Sequence, residues 1–369
     1  MMRRIFYLFL LLATMVKAQQ PQVLADEFIY EEAPFPSCHA STIVELQNGD
    51  LLSAWFGGKY EGSPDVCIWT ARKLFGASRW STPQLAAEGF EQKACYNPVL
   101  FQMPDGEVLL FFKIGAFVQD WTGWLVRSQD NGYTWTEKES LPEGFLGPVK
   151  NKPELIALPS SSILLCPSST EKGGWKIHFE IIKTDSNGHF PSAADLAKQS
   201  TVIGPVEAEL AEKTFEQGTL SPIGCIQPSI LRLKDGRLQV LCRTQNGRLA
   251  TSFSSDDGRS WSKVTLTDLP NNNSGTDAVT LHDGRHVLVS NPVATPTGEN
   301  GGKRSPLTVS ISEDGQTWQH ISTLADDNEG EYSYPAVIEG RDGSLHILYT
   351  WRRQRIRYVH LSTPVLQGS

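Results

Sequence analysis

The chain repeats one pattern of apolar and polar positions six times. Each copy is an apolar strand, a polar turn and a second apolar strand, as in NPVLFQMPDGEVLLFF or QPSILRLKDGRLQVLC. The six copies begin at Ser41, Asn97, Lys152, Gln227, Asp277 and Tyr334. Five of the turns contain a glycine, which adopts the positive φ of a tight hairpin turn without steric cost. The pattern therefore predicts six β-hairpins.

The spacing of these hairpins predicts how they are arranged. The turn glycines are Gly49, Gly106, Gly236, Gly284 and Gly343, and adjacent ones lie 48 to 59 residues apart where no other copy intervenes. That interval accommodates four strands per repeat. A four-stranded repeat without helical periodicity is typical of a β-propeller. We predict an all-β fold in which residues 19–369 form one six-bladed β-propeller of four-stranded antiparallel blades, with an insertion and a short helix after the third copy.

Composition and charge exclude other classes. The 31 glycines and 22 prolines exceed what a helical bundle tolerates, because both residues are costly inside helices. A net charge of −8 argues against nucleic acid as a partner, since phosphate binding requires clustered lysine and arginine. The eight histidines are scattered and no CxxC pair occurs, so we predict no metal and no cofactor. We expect the six widely spaced cysteines to be buried free thiols.

The first residues have the character of a targeting segment. Arg3 and Arg4 precede an apolar run over residues 5–16, and small or apolar residues follow as far as Ala18. This arrangement predicts a secretory signal peptide over residues 1–18, with a mature chain that starts near Gln19. The run is too short for a stable membrane span. We therefore expect a secreted or periplasmic protein, and a monomer.

A second motif recurs in the other hairpins. The segments SQDNGYTW from Ser128 and SSDDGRSW from Ser254 fit the pattern S-x-D-x-G-x-x-W, and a variant begins at Ile311. The serine and aspartate side chains of such a turn bond to backbone amides, so we interpret these carboxylates as structural. The segments are similar to the Asp-box repeats of the sialidase (neuraminidase) superfamily, and the resemblance covers residues 41–360. It implies a six-bladed propeller with its site at the centre of one face.

The resemblance also implies site residues. Sialidases hold the substrate carboxylate with three arginines, and Arg243 and Arg304 match two of them. The nucleophile of the superfamily is a tyrosine at the start of the last blade, where Tyr332 is the best match and Tyr334 the next. Glu331 is adjacent in sequence, but we expect it to face away because neighbouring strand residues alternate.

The chain departs from the superfamily at three positions. The segment PSCHA, which contains His39, stands where the first arginine is expected, and Gln227 stands in place of the glutamate that partners the tyrosine. Asp65 is the only aspartate near the position of the general acid, with Glu61 as the alternative. The resemblance thus leaves open whether the substrate is sialic acid or another acidic sugar.

The starts of the six repeats define a candidate ring that does not depend on the resemblance. These polar residues are His39, Asn97, Asn151, Lys152, Gln227, Asp277, Tyr332 and Tyr334. Such residue types bind sugars or transfer protons. His39 is a candidate general acid or base or, alternatively, a structural histidine. Lys152 and Asp277 either contact substrate or neutralise each other. The tryptophans at 55, 121, 124 and 175 either stack on sugar rings or pack in the core.

Three functions fit these features. The first is an exported, sialidase-like exo-glycosidase that removes a carboxylated sugar, either sialic-acid-like or uronic-acid-linked, with Tyr332, His39 and Asp65 as catalytic candidates. The second is a uronic-acid polysaccharide lyase, which uses the same residue types to abstract a proton beside a neutralised carboxylate. The third is a carbohydrate-binding propeller without catalysis. All three predict a glycan with an acidic sugar as the partner.

Overall fold

A computed structural model describes residues 20–185 and 187–363. They form six four-stranded antiparallel sheets arranged as the blades of a β-propeller, which confirms the predicted fold class. The predicted signal peptide, residues 1–18, lies outside the described residues. The six predicted hairpins are present as the two inner strands of each blade, and the five turn glycines have positive φ.

Five blades contain four consecutive strands, and the sixth takes its outermost strand from the start of the described chain. Strand β1 is Val23–Phe28. Blade 1 contains β2 (Ser37–Glu45), β3 (Leu51–Gly58), β4 (Cys67–Lys73) and β5 (Gln84–Ala87). Blade 2 contains β6 (Ala94–Gln102), β7 (Val108–Gly115), β8 (Thr122–Ser128) and β9 (Glu139–Ser140). Blade 3 contains β10 (Glu154–Leu158), β11 (Ser161–Thr170), β12 (Lys176–Lys183) and β13 (Ser200–Ile203).

The remaining blades follow an insertion. It consists of helix α1 (Ala193–Gln199), which lies before β13, and a separate hairpin of β14 (Leu210–Lys213) and β15 (Glu216–Pro222). Blade 4 contains β16 (Cys225–Arg232), β17 (Leu238–Thr244), β18 (Arg248–Ser254) and β19 (Thr265–Pro270). Blade 5 contains β20 (Asp277–Thr280), β21 (His286–Ser290), β22 (Leu307–Ser312) and β23 (Gln319–Ala325). Blade 6 contains β24 (Tyr332–Glu339), β25 (Leu345–Trp351) and β26 (Arg355–Leu361).

The two ends of the described chain meet in blade 6. Strand β1 pairs antiparallel with β26, so that Val23 faces Leu361 and Phe28 faces Arg357. This pairing closes the ring, because it joins the first described strand to the last. Closure leaves no blade at an open end, and it brings the β25–β26 turn next to the start of blade 1.

The Asp-box turns have the internal bonds expected of them. In the first box, the Ser128 hydroxyl accepts from the Gly132 amide at 2.7 Å, and Asp130 accepts from the Thr134 amide at 2.9 Å. In the variant box, Ser312 and Asp314 make the corresponding bonds. These carboxylates are therefore committed to their own turns and not to a site.

The core lies between the blades. Apolar side chains of neighbouring sheets interlock in clusters, for example Leu52 and Phe56 of blade 1 with Leu110 and Phe112 of blade 2. All six cysteines are free thiols, and five of them are buried. Trp55 is fully buried and stacks on Tyr30, with 5.2 Å between ring centroids, so it belongs to the core and not to a sugar site.

An irregularity near the start of the innermost strand recurs in four blades. The register of β2, β6, β16 and β24 shifts where a bulge interrupts the pairing with the next strand. The bulges contain Ala40, Asn97, Gln227 and Tyr334, all with φ between 37° and 56°. Non-glycine residues with such φ are uncommon and cluster at functional sites, as do bulges. Because all innermost strands start on one face, these residues surround one end of the central channel, here termed the upper mouth; the strands end at the lower mouth.

Candidate active site

The hydroxyl of Tyr334 lies at the centre of the upper mouth. It accepts a hydrogen bond from Nη1 of Arg243 at 2.6 Å and another from Nε2 of Gln227 at 3.2 Å. These contacts join blade 6 to blade 4 across the channel. Arg243 is held in turn by Asn273, whose Oδ1 accepts from Nε at 2.9 Å, and by the Trp175 ring 5.0 Å below its guanidinium. The tyrosine oxygen is therefore fixed by two donors.

Two guanidinium groups lie beside this tyrosine, and a third is joined to one of them through a carboxylate. Arg243 and Arg304 lie 5.8 and 5.9 Å from the centroid of its ring. Arg304 also donates to Oε1 of Glu331 at 2.7 Å, and Arg353 donates to the same oxygen at 2.7 Å. Glu331 thus fixes two guanidinium groups side by side. Although burial opposes it, these two arginines hold the pKa of Glu331 below its ordinary value.

Arg353 supplies a third arginine that the sequence interpretation did not identify. It lies in the turn between β25 and β26, and its carbonyl accepts from the Cys38 amide at 2.8 Å. The turn therefore lies against the PSCHA segment, where the resemblance places the first arginine of the superfamily. Arg352 and Arg353 have φ values of 50° and 59°, a strained conformation for long side chains. Consecutive arginines at a hairpin tip were the sequence signal that could have revealed this residue.

His39 packs directly against the tyrosine, with 4.0 Å between ring centroids. Its Nδ1 lies 3.0 Å from the Thr350 hydroxyl, and Nε2 has no hydrogen-bond partner among the described residues. Burial, followed by the charges of Arg353, Arg304, Arg243 and Lys150, holds the pKa of His39 well below its ordinary value. The imidazole is accordingly neutral near pH 7, with one ring nitrogen available.

Lys150 is a buried cation behind the same tyrosine. Its Nζ donates to Asn151 Oδ1 at 2.8 Å, to the Thr276 carbonyl at 3.0 Å and to the Pro335 carbonyl at 2.5 Å. Burial lowers the pKa of Lys150 to about 7. The lysine joins blades 3, 5 and 6 at the axis, and its nitrogen lies 5.9 Å from the Tyr334 ring centroid.

Two further carboxylates lie at the rim. Glu61 accepts from Nη1 of Arg353 at 2.6 Å. Glu171 accepts from Nε1 of Trp175 at 2.9 Å, and burial raises the pKa of Glu171, with Arg243 close enough to oppose the shift. A carboxyl group with a raised pKa is a candidate proton donor. Glu171 lies in the turn between β11 and β12, and the sequence interpretation did not include it.

The structure separates some of the candidate residues from this group. The Tyr332 hydroxyl donates to Asp327, and burial, followed by this bond, raises the pKa of Tyr332. Asp65 is exposed and accepts from the Ser63 hydroxyl and the Lys59 amide within its own turn. Neither side chain has a contact with Tyr334. Their proposed catalytic roles stay predictions that this geometry does not favour.

The other ring residues mostly hold the blades together. Asn151 donates from Nδ2 to the Gln227 carbonyl at 3.0 Å, and the Asn97 carbonyl lies 3.4 Å from the buried Nζ of Lys113. Asp277 accepts from Lys152 at 2.9 Å and from the Val337 amide at 2.9 Å. The lysine and the aspartate therefore neutralise each other in the channel, which was one of the two expectations for them.

Neither a metal site nor a membrane span is evident in residues 20–185 and 187–363. No group of three or more His, Cys, Asp or Glu side chains there is placed to hold a metal ion. No helix in that part of the chain is long and apolar enough to cross a membrane.

An Asp-box propeller with guanidinium groups at its axis has the architecture of the sialidase-like propellers. The chain belongs to the family with the BNR repeat-like domain, whose pattern matches residues 49–347. No curated protein matches the chain.

Solved structures share this fold at low sequence identity. A protein of unknown function from Dyadobacter fermentans is 15% identical, with a TM-score of 0.68, covering 93% of this chain and 99% of that one. The intramolecular trans-sialidase from Ruminococcus gnavus is 14% identical, with a TM-score of 0.65 and coverages of 92% and 98%. The α-L-arabinanase of Penicillium chrysogenum is 14% identical, with a TM-score of 0.61 and coverages of 94% and 98%. Such likeness establishes the fold alone, so the reaction has to be argued from the site.

Proposed function

We propose that this protein is an exported, sialidase-like glycoside hydrolase that removes a carboxylated sugar from a glycan. The observation that carries the proposal is the placement of Arg243 and Arg304 beside Tyr334, with Arg353 joined to Arg304 through Glu331. A guanidinium group binds a carboxylate through two parallel hydrogen bonds. Such groups beside one potential nucleophile suit an acidic sugar whose anomeric carbon lies next to the tyrosine oxygen.

The charge balance of the upper mouth supports an anionic substrate. Arg304 and Arg353 share Glu331, and Arg353 also pairs with Glu61, while Arg243 is held by an amide oxygen and a hydroxyl. Lys150 is held by oxygens of uncharged groups. The region therefore has excess positive charge on a protein whose net charge is −8, and such a contrast attracts acidic ligands.

In the proposed reaction, Tyr334 is the nucleophile. Its oxygen attacks the anomeric carbon, the bond to the leaving oxygen breaks, and a glycosyl-tyrosine forms. Neutral His39, whose ring packs on Tyr334, is our candidate to take the phenolic proton through a water molecule, because its Nε2 makes no direct bond to the hydroxyl and Gln227 occupies the position of a carboxylate base. Glu171, with its raised pKa, is the candidate acid that protonates the leaving oxygen. Water then releases the sugar with retained configuration, as in two-step glycosidases.

The experiment is a substrate screen with the protein and its Tyr334→Phe variant. The 4-methylumbelliferyl glycosides of N-acetylneuraminic, keto-deoxynonulosonic, glucuronic and galacturonic acids report hydrolysis by fluorescence. We expect cleavage of at least one acidic glycoside by the wild type and loss of that cleavage in the variant. Cleavage of the matching glucoside or arabinofuranoside in preference to all the acids would contradict the proposal.

A uronic-acid lyase is the second candidate, favoured by Gln227 and by the uncharged imidazole of His39. A lyase needs a base that takes the C5 proton beside a neutralised carboxylate. The electron pair then forms the C4–C5 double bond, the C4–O bond breaks, and the leaving oxygen receives a proton. New ultraviolet absorbance from unsaturated uronate during digestion of polygalacturonate or hyaluronan supports this reaction, whereas new reducing ends without absorbance support hydrolysis. Binding without either product identifies a carbohydrate-binding propeller.

Export is a separate part of the proposal and rests on residues 1–18. When the full chain is expressed in a Gram-negative host, we expect the protein in the periplasm or medium with an N-terminus near Gln19. An intact N-terminus on protein found only in the cytosol would contradict export without affecting the proposed reaction.

A further inference from the structure

A cavity of about 840 Å³ extends outward from the upper mouth between blades 2 and 3. Its inner wall includes Gln227, whose side chain donates to the Tyr334 hydroxyl. Its outer wall includes Trp121 and Trp124. Glu171, the candidate proton donor, also lines it. The cavity therefore begins where the leaving group of the proposed reaction would depart.

This cavity, here termed the groove, is larger than a single sugar requires. Cavities of roughly 300–1,000 Å³ enclose drug-sized ligands, which are larger than a monosaccharide. If the acidic sugar occupies the arginine-lined space around Tyr334, the groove remains as additional space. Because Glu171 lines this space, the sugars attached to the leaving oxygen that Glu171 would protonate could extend into it.

The outer wall presents half-buried indole rings on a fixed support. Trp121 packs on Tyr96 with 5.0 Å between ring centroids, and Trp124 packs on Phe90 at 5.2 Å. Gly115 allows this approach, because a Cβ there would lie 2.9 Å from Cδ1 of Trp121. Each tryptophan is only partly covered by its neighbours. Rigid, partly exposed indoles offer an apolar face for ligand contact at low entropic cost.

The rest of the lining is polar. Ser169, Thr170, Lys172 and Lys176 come from one side of the groove, and Glu143 comes from the other. Aromatic faces combined with hydroxyl, ammonium and carboxylate groups match the alternating apolar and hydroxyl surfaces of a sugar chain. A wholly apolar ligand would leave these polar groups without partners.

We infer that the groove between blades 2 and 3 binds the leaving-group sugars of an oligosaccharide, with Trp121 as the stacking platform. The inference rests on the proposed function, since it places the acidic sugar at Tyr334. The preferred substrate would then be an oligosaccharide with a terminal acidic sugar, which occupies more of the site than a small acidic glycoside does.

The test compares paired ligands by isothermal titration calorimetry on full-length Tyr334→Phe protein, which cannot turn them over by the proposed route. The pairs are N-acetylneuraminic acid with 3′-sialyllactose, galacturonic acid with tetragalacturonic acid, and glucuronic acid with a tetrasaccharide that ends in glucuronic acid. For at least one pair, we expect the oligosaccharide to bind about tenfold or more tightly than the monosaccharide. Adding Trp121→Ala should remove that advantage and leave the monosaccharide affinity unchanged.

Two further variants make the test specific. Phe117→Ala removes an exposed aromatic ring from the same loop that does not line the groove, and it should leave both affinities unchanged. Lys176→Ala removes an exposed groove residue and should weaken only the oligosaccharide, by a few-fold. The affinities measured for Lys176→Ala test the groove even if Trp121→Ala does not fold.

The outcomes separate the groove from the arginine site. Two results would contradict oligosaccharide binding in the groove without contradicting the arginine site. One is equal affinity for the monosaccharide and the oligosaccharide in every pair. The other is tighter oligosaccharide binding that persists in both Trp121→Ala and Lys176→Ala. Failure of every acidic monosaccharide and oligosaccharide to bind would overturn the proposed function, and the groove inference with it.

Discussion

The two mouths of the central channel differ in how far their positive charges are balanced by carboxylates. At the lower mouth, Lys152, Glu154 and Arg232 line a cavity together with residues from the ends of innermost strands, such as Thr280 and Glu339. The cations there are matched by carboxylates, because Lys152 reaches Asp277 in the channel wall at 2.9 Å and Arg232 pairs with Glu154 at 3.0 Å. At the upper mouth, Arg304 and Arg353 share Glu331, Arg353 also pairs with Glu61, and Arg243 and Lys150 are held by uncharged oxygens. Both regions are built from the same strands, so the repeat alone does not explain the difference.

The comparison indicates which polar residues are structural. A buried pair whose charges cancel connects the blades and leaves little field for a ligand. Positive charge that is only partly balanced is costly to place in a protein interior, so its presence around Tyr334 is consistent with the anionic substrate that we propose. Single substitutions at each mouth test this difference between binding residues and structural residues.

The largest expected effect is at the tyrosine. Tyr334→Phe should reduce kcat roughly 10³-fold or more, because it removes the proposed nucleophile. The control is Tyr332→Phe, which removes a hydroxyl two residues away that bonds to Asp327. We expect that variant to keep kcat within about twofold and to lose at most about 1.5 kcal/mol of stability. Steady-state kinetics with the best acidic glycoside checks both; the reverse order of losses would return the role to Tyr332.

The next effect is at the arginine pair. Arg353→Gln should raise KM about 30-fold or more. The variant removes the proposed contact between Arg353 and the substrate carboxylate, and truncating one member of such a charge pair costs about 2–5 kcal/mol. Arg352→Gln is the matched control, because its guanidinium pairs with exposed Asp327 at 2.9 Å instead. Equal KM values for the two variants would mean that Arg353 does not contact substrate.

A smaller effect on catalysis is expected at the lower mouth. Lys152→Met leaves Asp277 without its cation and should lower the free energy of unfolding by about 1–3 kcal/mol, discounted because the lysine is partly exposed. Because the lysine belongs to the balanced region, KM should stay within about twofold. Chemical denaturation together with kinetics measures both quantities. A large rise in KM with unchanged stability would contradict the assignment of the two mouths.

The smallest effect concerns pH. The pKa of Lys150 is lowered to about 7 by burial, so its ammonium is charged below pH 7 and increasingly neutral above it. Affinity for a carboxylated sugar should therefore fall a few-fold between pH 6 and 8, and Lys150→Met should weaken this dependence. Lys113→Met is the control, because Lys113 is equally buried with a pKa lowered to about 7, but its Nζ bonds to the Pro148 carbonyl and not around Tyr334. Calorimetric titration across pH that shows the same slope in all three proteins would exclude Lys150.

Local sequence patterns accounted for most of the fold. Turn glycines, alternating strands and Asp boxes act over a few residues, so their periodicity predicts hairpins and blades directly. The same logic placed Asn97, Gln227 and Tyr334 near the start of innermost strands. It did not distinguish Tyr332 from Tyr334, because the bulge after Ser333 interrupts the simple alternation of strand side chains.

The missing parts of the site depend on long-range closure. Arg353 reaches the upper mouth because β1 joins β26 and because the Cys38 amide bonds to the Arg353 carbonyl, a contact between residues far apart in sequence. Lys150 is positioned by carbonyls of two other blades. Neither contact produces a periodic pattern in the sequence. The sequence therefore could not predict that Arg353 of blade 6 lies next to the segment of blade 1 that lacks an arginine.

The most direct test of the central claim removes the charge from the substrate instead of the protein. It measures kcat/KM for the best acidic glycoside and for its methyl ester, in the wild type and in Arg353→Gln. We predict that esterification lowers the wild-type value about 30-fold or more, and that Arg353→Gln costs the acid a similar factor but the ester less than about threefold. Equal turnover of acid and ester by the wild type, or equal losses on both in the variant, would contradict a carboxylate-binding upper mouth.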